Sequence, residues 1–297
     1  MYDSIIIGAG PAGMTAAIYL ARANKKVLII EKETIGGQIS SSPLVENYPG
    51  YEGISGSVLA NNMYNQVDKL GVDIELDEVT DIIPGELHTV KTLDNEFKTR
   101  TVIIATGVKY RLLGLENEIE LIGNGIHFCV SCDGAFFKCK HVAVIGGGNT
   151  GIINALALAD LCEKVYLIQD KDKLTGEKIL QDKLKHKVNV EVITNSVVSK
   201  IIGDDKLEKI IIKNGKKENE IVVDGMFISI GLMPQSDFLK GIIDLDKFNY
   251  AVSFDTKTKI DGIFVAGDIR TKPFRQITTA VNDGTTSALY ALEYLDN

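Results

Sequence analysis

A chain of 297 residues has room for about two domains, each with its own core. With 45% hydrophobic and 24% charged residues, the composition is that of an ordinary globular protein. A balance of 32 basic against 40 acidic side chains, net charge −8, argues against the broad basic surface that nucleic acids and anionic membranes require.

The first element is a short apolar strand, Ser4 to Ile7, of the kind buried on both faces. It begins too near Met1 to leave room for a signal peptide, and no apolar stretch reaches the roughly 20 residues of a membrane helix, so the expected location is the cytoplasm. Gly8-x-Gly10-x-x-Gly13 follows directly, then a helix from Met14 to Ala23 and a strand from Lys26 to Ile30 that ends in Glu31. A glycine turn between strand and helix lets backbone approach a pyrophosphate, and the helix start supplies free N–H groups. Glu31 stands where an acid accepts hydrogen bonds from ribose hydroxyls. An irregular stretch (36–56), a helix from about Ser57 to Leu70 and short β-like runs, among them Val102 to Ala105, come next.

Cys129-Val130-Ser131-Cys132 then precedes a second copy of the opening pattern. Two thiols at this spacing can close a small disulfide ring, and in such a pair one cysteine can acquire a lowered pKa and attack another disulfide. With Cys139 and Cys162 the chain has four cysteines, too few for a secreted disulfide scaffold. His127, Cys139 and His141 beside the pair also suggest a structural zinc site, but His141 opens a buried strand and no second CxxC exists, so no metal is expected. Cys162 reads as a small core residue.

The second copy runs His141 to Ile145, Gly146-x-Gly148-x-x-Gly151, a helix to about Leu161 and a strand Lys164 to Ile168. Gly10 to Glu31 and Gly148 to Gln169 span the same 21 residues, so one βαβ opening is duplicated. Strands Val188–Ile193, Lys209–Lys213 and Met226–Ile230 follow, and the chain closes with Phe264-Val-Ala-Gly-Asp268 and a helix from about Ile277 to Leu295. Asp268 at a strand end suits a ribityl hydroxyl of a flavin, and Arg275 and Gln276 suit its pyrimidine edge. A plain turn aspartate and a surface arginine account for the same residues equally well. No segment is linker-like, so the joints are short, near Arg111–Gly114 and Gly241–Leu245.

End to end, the chain resembles the low-molecular-weight, bacterial-type thioredoxin reductases. The resemblance is carried by Gly8-Ala-Gly-Pro-Ala-Gly13, Gly36-Gly-Gln38, Glu46-Asn-Tyr-Pro-Gly50, Ala105-Thr-Gly107, Cys129-Val-Ser-Cys132-Asp133-Gly134, Gly146-Gly-Gly-Asn149, Gly231-Leu-Met-Pro234, Ala266-Gly-Asp268 and Arg275-Gln276. It implies an α/β fold with two Rossmann-like (three-layer ββα) domains of the flavin disulfide reductase type, the second inserted into the first. The domains would be an FAD domain, 1–112 with 244–297, and a pyridine-nucleotide-type domain, 113–243, that carries the disulfide and swings between the flavin and thioredoxin. It implies a homodimer, with FAD contacts at Gly8, Gly10, Pro11, Ala12, Gly13, Glu31, Gly37, Gln38, Asn47, Ala105, Thr106, Gly107, Gly267, Asp268, Arg275, Gln276 and Ile277. By the same resemblance Cys132 meets the flavin, Cys129 meets the protein substrate, and Asp133 protonates the leaving thiolate. A helix cap is the structural reading of Asp133, and the two roles are compatible.

The second glycine turn departs from the family at its recognition end. A His-Arg-Arg run with a further arginine grips the 2′-phosphate of NADPH in the usual reductase; here Gln169-Asp170-Lys171 and Thr175 stand in those places. Thr150-Gly-Ile-Ile-Asn154 replaces the family's Ser-Ala start and glutamate pair. The first reading is loss of NADPH binding, with reduced ferredoxin as donor; a ferredoxin-dependent flavin thioredoxin reductase subgroup is similar in this loss. NADH use through Asp170 and NADPH use through Lys171 and Lys173 rank behind it. A flavin redox sensor without turnover is the alternative from another class. A ferredoxin–NADP reductase fits less well, since that reaction needs no protein disulfide. Lys178, Lys183, Lys185, His186 and Lys187 form the densest basic run and read as an exposed helix face balanced by Glu177 and Asp182, not as a docking site.

Overall fold

The structure is a computed structural model that describes residues 1–297. It divides into two compact units, residues 1–109 with 233–297, and residues 110–232.

The first unit is built on a seven-stranded sheet. Tyr2–Ile7 lies between Val27–Glu31 and Glu96–Ile104, parallel to both, and Asp73–Leu76 extends one side. His88–Thr92 and Val79–Ile83 add antiparallel on the other side, and Ile263–Val265 pairs in parallel with Glu96–Ile104. The central strands are apolar throughout because both faces are covered. Their side chains alternate between the faces: Ile6, Ile29 and Ile103 enter the core under the helices Pro11–Arg22 and Ile277–Asp296, while Ile5, Ile7, Leu28, Ile30, Val102 and Ile104 enter the opposite one. Each such burial is worth about 1.5–3 kcal/mol.

The first helix starts earlier than its apolar run indicates. Gly10 is its N-cap and Pro11 its first residue, a position where proline's missing N–H costs nothing. Gly13 sits against the turn so closely that a Cβ there would lie 1.9 Å from the Gly8 carbonyl oxygen. Only glycine permits that approach of helix to strand.

The second unit repeats the scheme. A five-stranded parallel sheet runs Val190–Ile193, Lys164–Ile168, His141–Ile145, Gly225–Ile228, Ile126–His127. The helix Asn149–Ala159 follows its glycine turn, where a Cβ at Gly151 would lie 1.7 Å from the Gly146 oxygen. A separate antiparallel sheet contains Val197–Ile202, Lys209–Asn214 and Lys217–Val222.

The return joint differs from the sequence expectation. It falls at Leu232–Met233, so residues 233–243 lie with the first unit. The cause is local packing: Leu239 and Ile243 are buried in the same core as Ile5, Ile7 and Val265. No helix is long and apolar enough to cross a membrane.

Candidate active site

In the first unit the Gly8–Gly13 turn is uncrowded at Gly10. Nothing lies within 4 Å of where a Cβ of Gly10 would be, and the same holds at Gly107. Pro11, Ala12 and Gly13 form the first turn of the helix, where the N–H groups of Ala12 and Gly13 have no intrahelical acceptor. Glu31 is fixed at its strand end by two backbone donors, Ala9 N to Oε2 at 2.7 Å and Glu33 N to Oε1 at 2.8 Å. A carboxylate has about four acceptor sites, so lone pairs remain for a ribose diol.

Asp268 closes the other end of this constellation. Gly267–Ile269 is a single 3-10 turn after the strand Ile263–Val265. Burial pushes the Asp268 carboxyl up, against the opposing pull of Lys272 and Arg275. Its Oδ1 is buried without a hydrogen-bond partner; Lys272 Nζ stands 3.2 Å away as an ion pair without hydrogen-bond alignment. An acceptor held by one ion pair and no aligned hydrogen bond keeps acceptor capacity, which a ligand hydroxyl can use. These features fit FAD, with Glu31 on the adenosine ribose, the glycine turn and helix start on the pyrophosphate, and Asp268 on the ribityl chain.

The remaining expected contacts sit around the same unit. Arg275 donates to the Asp268 backbone oxygen at 3.2 Å and lies 4.1 Å from the Tyr250 ring centre, so its guanidinium is already engaged. Gln276 caps the last helix in a capping box with Thr279 and accepts from Asn47 Nδ2 at 3.3 Å. Ile277 starts that helix. Gln38 donates through Nε2 to the Val108 oxygen, next to Ala105, Thr106 and Gly107. Gly37 has φ +57° and lies against Gly10. The turn of Gly36 and Gly37 thus meets the dinucleotide turn.

The sequence passed over a charged cluster behind Asp268. Asp283, 2% exposed, accepts from Arg270 Nε and Nη2 at 2.9 Å each, from Lys272 Nζ at 3.1 Å and from Gly267 N at 3.1 Å. Burial alone would raise the Asp283 carboxyl, but Arg270 and Lys272 hold it below its ordinary value.

In the second unit Cys129 and Cys132 form a disulfide. Cys129 is the N-cap of a one-turn helix, Val130–Asp133, and its backbone oxygen accepts from Cys132 N and Asp133 N. Ser131 between the cysteines is exposed. Asp133 makes no side-chain cap. Its Oδ2 lies 2.9 Å from Nδ1 of His127, a residue 5% exposed. His127 is thereby committed to Asp133, and no group of three or more His, Cys, Asp or Glu is placed to hold a metal. Cys139 is exposed and Cys162 buried. Burial, reinforced by Cys139 and Asp224, pushes the Cys162 thiol up to about 11. Iodoacetamide at pH 8 is therefore expected to label Cys139 and spare Cys162 in the native protein; peptide mass mapping that found Cys162 alkylated first would contradict this burial.

The second glycine turn is geometrically parallel to the first. Gly147 N donates to Gln169 Oε1 at 2.8 Å, as Ala9 N does to Glu31. Gln169 is 4% exposed, and its Nε2 is turned to the Lys173 oxygen at 3.4 Å. Asp170, Lys171 and Lys173 are exposed. Thr175 packs its backbone N–H on the Gly147 oxygen at 2.8 Å, and Glu177 is bound to Asn149 through both backbone and side chain. Along the basic run, Lys178 and Lys185 share Asp182, and Lys187 pairs with Asp160.

Two glycine-turn nucleotide folds, one fitted for a flavin and the other carrying a CxxC disulfide with an adjacent acid, define a flavin-type disulfide oxidoreductase. A family model described as pyridine nucleotide-disulphide oxidoreductase matches residues 2–284. The chain belongs to that family, and within it to the low-molecular-weight thioredoxin reductases. It is 39% identical to the thioredoxin reductase of Bacillus subtilis (strain 168) over 301 residues, covering 100% of this chain and 95% of that protein. It is 40% identical over 301 residues to a protein of Clostridium pasteurianum named as a 34.2 kDa protein in a rubredoxin operon, covering 99% and 97% of the two chains. The crystal structure of thioredoxin reductase from Streptococcus pyogenes MGAS5005 superposes with a TM-score of 0.96 at 40% identity, covering 100% of this chain and 98% of that one. Thioredoxin reductases of this family use FAD.

Proposed function

We propose that the protein reduces thioredoxin through FAD and the Cys129–Cys132 disulfide, and that its electrons come from a reduced ferredoxin and not from NADPH. The thioredoxin reading is supported by the closed disulfide beside an acid and by the relatives' activity. FAD, when bound, supplies a two-electron reductant that can be charged one electron at a time. Two electrons and one proton open the disulfide to a thiol and a thiolate, and Asp133 is the proton donor adjacent to Cys132. Cys129, beside the exposed Ser131, is the nucleophile toward the substrate disulfide. The FAD contacts named above, the homodimer, the cytoplasmic setting and a joint that lets the second unit swing belong to the same reading.

The donor rests on one observation: no arginine stands between Gln169 and Thr175, and Asp170 occupies the position next to the buried Gln169. A unit like charge 4 Å from a phosphate charge costs about 1 kcal/mol in bulk water and about 4 kcal/mol at an effective dielectric of 20. The lost guanidinium forks remove bidentate hydrogen bonds besides. Since the chain carries net charge −8 and ferredoxins are usually acidic, their encounter requires a local positive patch.

Under anaerobic conditions, NADPH and NADH are expected to leave the yellow flavin band unchanged for minutes, while reduced ferredoxin bleaches it. Rapid bleaching by NADPH would return the protein to the ordinary NADPH-dependent type through Lys171 and Lys173. A flavin reduced by every donor without any thioredoxin reduction would favour a redox sensor.

A further inference from the structure

His127 is the most constrained side chain near the disulfide. It ends the edge strand Ile126–His127 of the five-stranded sheet, opposite Phe227 on Gly225–Ile228. Its ring lies 5.1 Å from the Phe137 ring, edge-on, and 5.5 Å from the Phe227 ring. Aromatic walls on two sides fix the imidazole plane, and Nδ1 points at Asp133 Oδ2, 2.9 Å away. A buried imidazole with such packing needs a polar partner, and the partner here is the acid that follows Cys132. Asp133 in turn caps neither its own helical turn nor the next. Its carboxyl is therefore oriented by His127 and not by the backbone.

We propose that His127 is a positioning residue for disulfide reduction. Its Nδ1 hydrogen bond holds the Asp133 carboxyl at a fixed orientation beside Cys132, so that the proton reaches the leaving sulfur as the bond breaks. The balance is that of the reading above, on which this inference rests: two electrons enter the S–S bond, one sulfur leaves as a thiolate that takes the proton of Asp133, and Asp133 is reprotonated from solvent. A hydrogen bond between an imidazole and a carboxyl in a partly dry site is worth more than one at the surface because the local dielectric is low. A partner that fixes orientation contributes to rate without touching the reacting atoms.

The experiment uses the FAD-loaded protein with reduced methyl viologen as an artificial donor, so that it does not depend on the natural one. Thioredoxin turnover is measured, together with the rate at which dithiothreitol opens Cys129–Cys132, read by alkylation and mass. His127→Phe keeps the ring packing and deletes the hydrogen bond; it is expected to lower both rates by about tenfold or more, with KM for thioredoxin unchanged. His127→Asn keeps a hydrogen-bonding group at the Nδ1 position and is expected within about threefold of the wild type, whereas His127→Gln moves that group to the Nε2 position and is expected to be slow. Asp133→Asn is expected to be at least as slow as His127→Phe, and the double variant no slower than Asp133→Asn. The Asn and Gln variants carry the comparison should the Phe variant not fold. Wild-type rates in His127→Phe with a slow Asp133→Asn would overturn the role of His127 alone. Equal slowing by Asn, Gln and Phe, or effects that multiply in the double variant, would also overturn it. Wild-type rates in Asp133→Asn would remove the acid itself, and with it the reading on which this inference stands.

Discussion

Cys132→Ser is expected to stop thioredoxin reduction, lowering turnover by about a thousandfold or more, while the protein keeps its fold and its flavin. The loss follows from chemistry that no neighbour replaces. A serine cannot form the disulfide that stores the two electrons, and Cys139 and Cys162 stand as separate thiols, one exposed and the other with its thiol pushed up to about 11. The structural cost is small because the ring is small: the cysteines are only three positions apart, and closing so short a loop removes little chain entropy, about 2 kcal/mol. Val130 anchors the turn independently, buried in the core with Phe137, Val142 and Phe227. Loss of turnover should thus come without a large change in melting temperature. The check is a paired measurement of turnover with reduced methyl viologen and of thermal unfolding. Near-normal turnover in Cys132→Ser would take this disulfide out of the electron path.

The sequence shows best what is local. Strand, glycine turn, helix, strand and acid lie within one stretch of chain, so the geometry of Gly8–Gly13 and Glu31 can be read from spacing alone, and so can its duplicate ending in Gln169. The short distances from Ala9 N and Gly147 N to Glu31 and Gln169 are the physical content of that duplication. Non-local partnerships are less visible. His127 stands near the cysteines in sequence and invites a metal reading, yet its environment is made by Phe227, brought alongside by parallel strand pairing. The packing of residues 233–243 is hidden for the same reason: nothing in them announces that Leu239 and Ile243 complete a core begun by Ile5 and Ile7. Asp283 did leave a signal. Ala280, Asp283, Gly284, Ser287, Ala288 and Ala291 fall at helical spacing on one buried face. An acid on such a face requires a cation, and Arg270 and Lys272 are the basic residues that follow the Gly267-Asp268 turn.

Asp283→Ala is expected to destabilise the first unit by about 3–5 kcal/mol and to weaken its hold on FAD. The carboxylate balances two cations, and both are removed from water: the Arg270 side chain is 14% exposed and the Lys272 side chain 4%. Deleting the acid leaves the guanidinium without its fork partner, leaves Gly267 N without its acceptor, and leaves Lys272 with Asp268 and the Thr279 hydroxyl. Asp268 is the residue read as the ribityl contact, so a Lys272 drawn fully onto it competes with the flavin for the same oxygen. The two carboxylates also oppose each other in acid. Asp283 lies below its ordinary value, so its contribution is present above the unfolded pKa, about 3.9, and is lost as pH falls through the lower folded one. Asp268, raised by burial, binds its proton more readily folded than unfolded; its charged form opposes folding at neutral pH, and that opposition fades as pH falls through its raised folded pKa. Asp283→Ala should therefore unfold at lower urea concentration at pH 7, and the difference from the wild type should shrink once the pH falls below about 3.9. Urea midpoints at the two pH values, with released flavin followed by fluorescence, measure both effects. A difference below about 1 kcal/mol at pH 7 would mean that Arg270 and Lys272 reach solvent without their partner, and that the cluster does not support the flavin site.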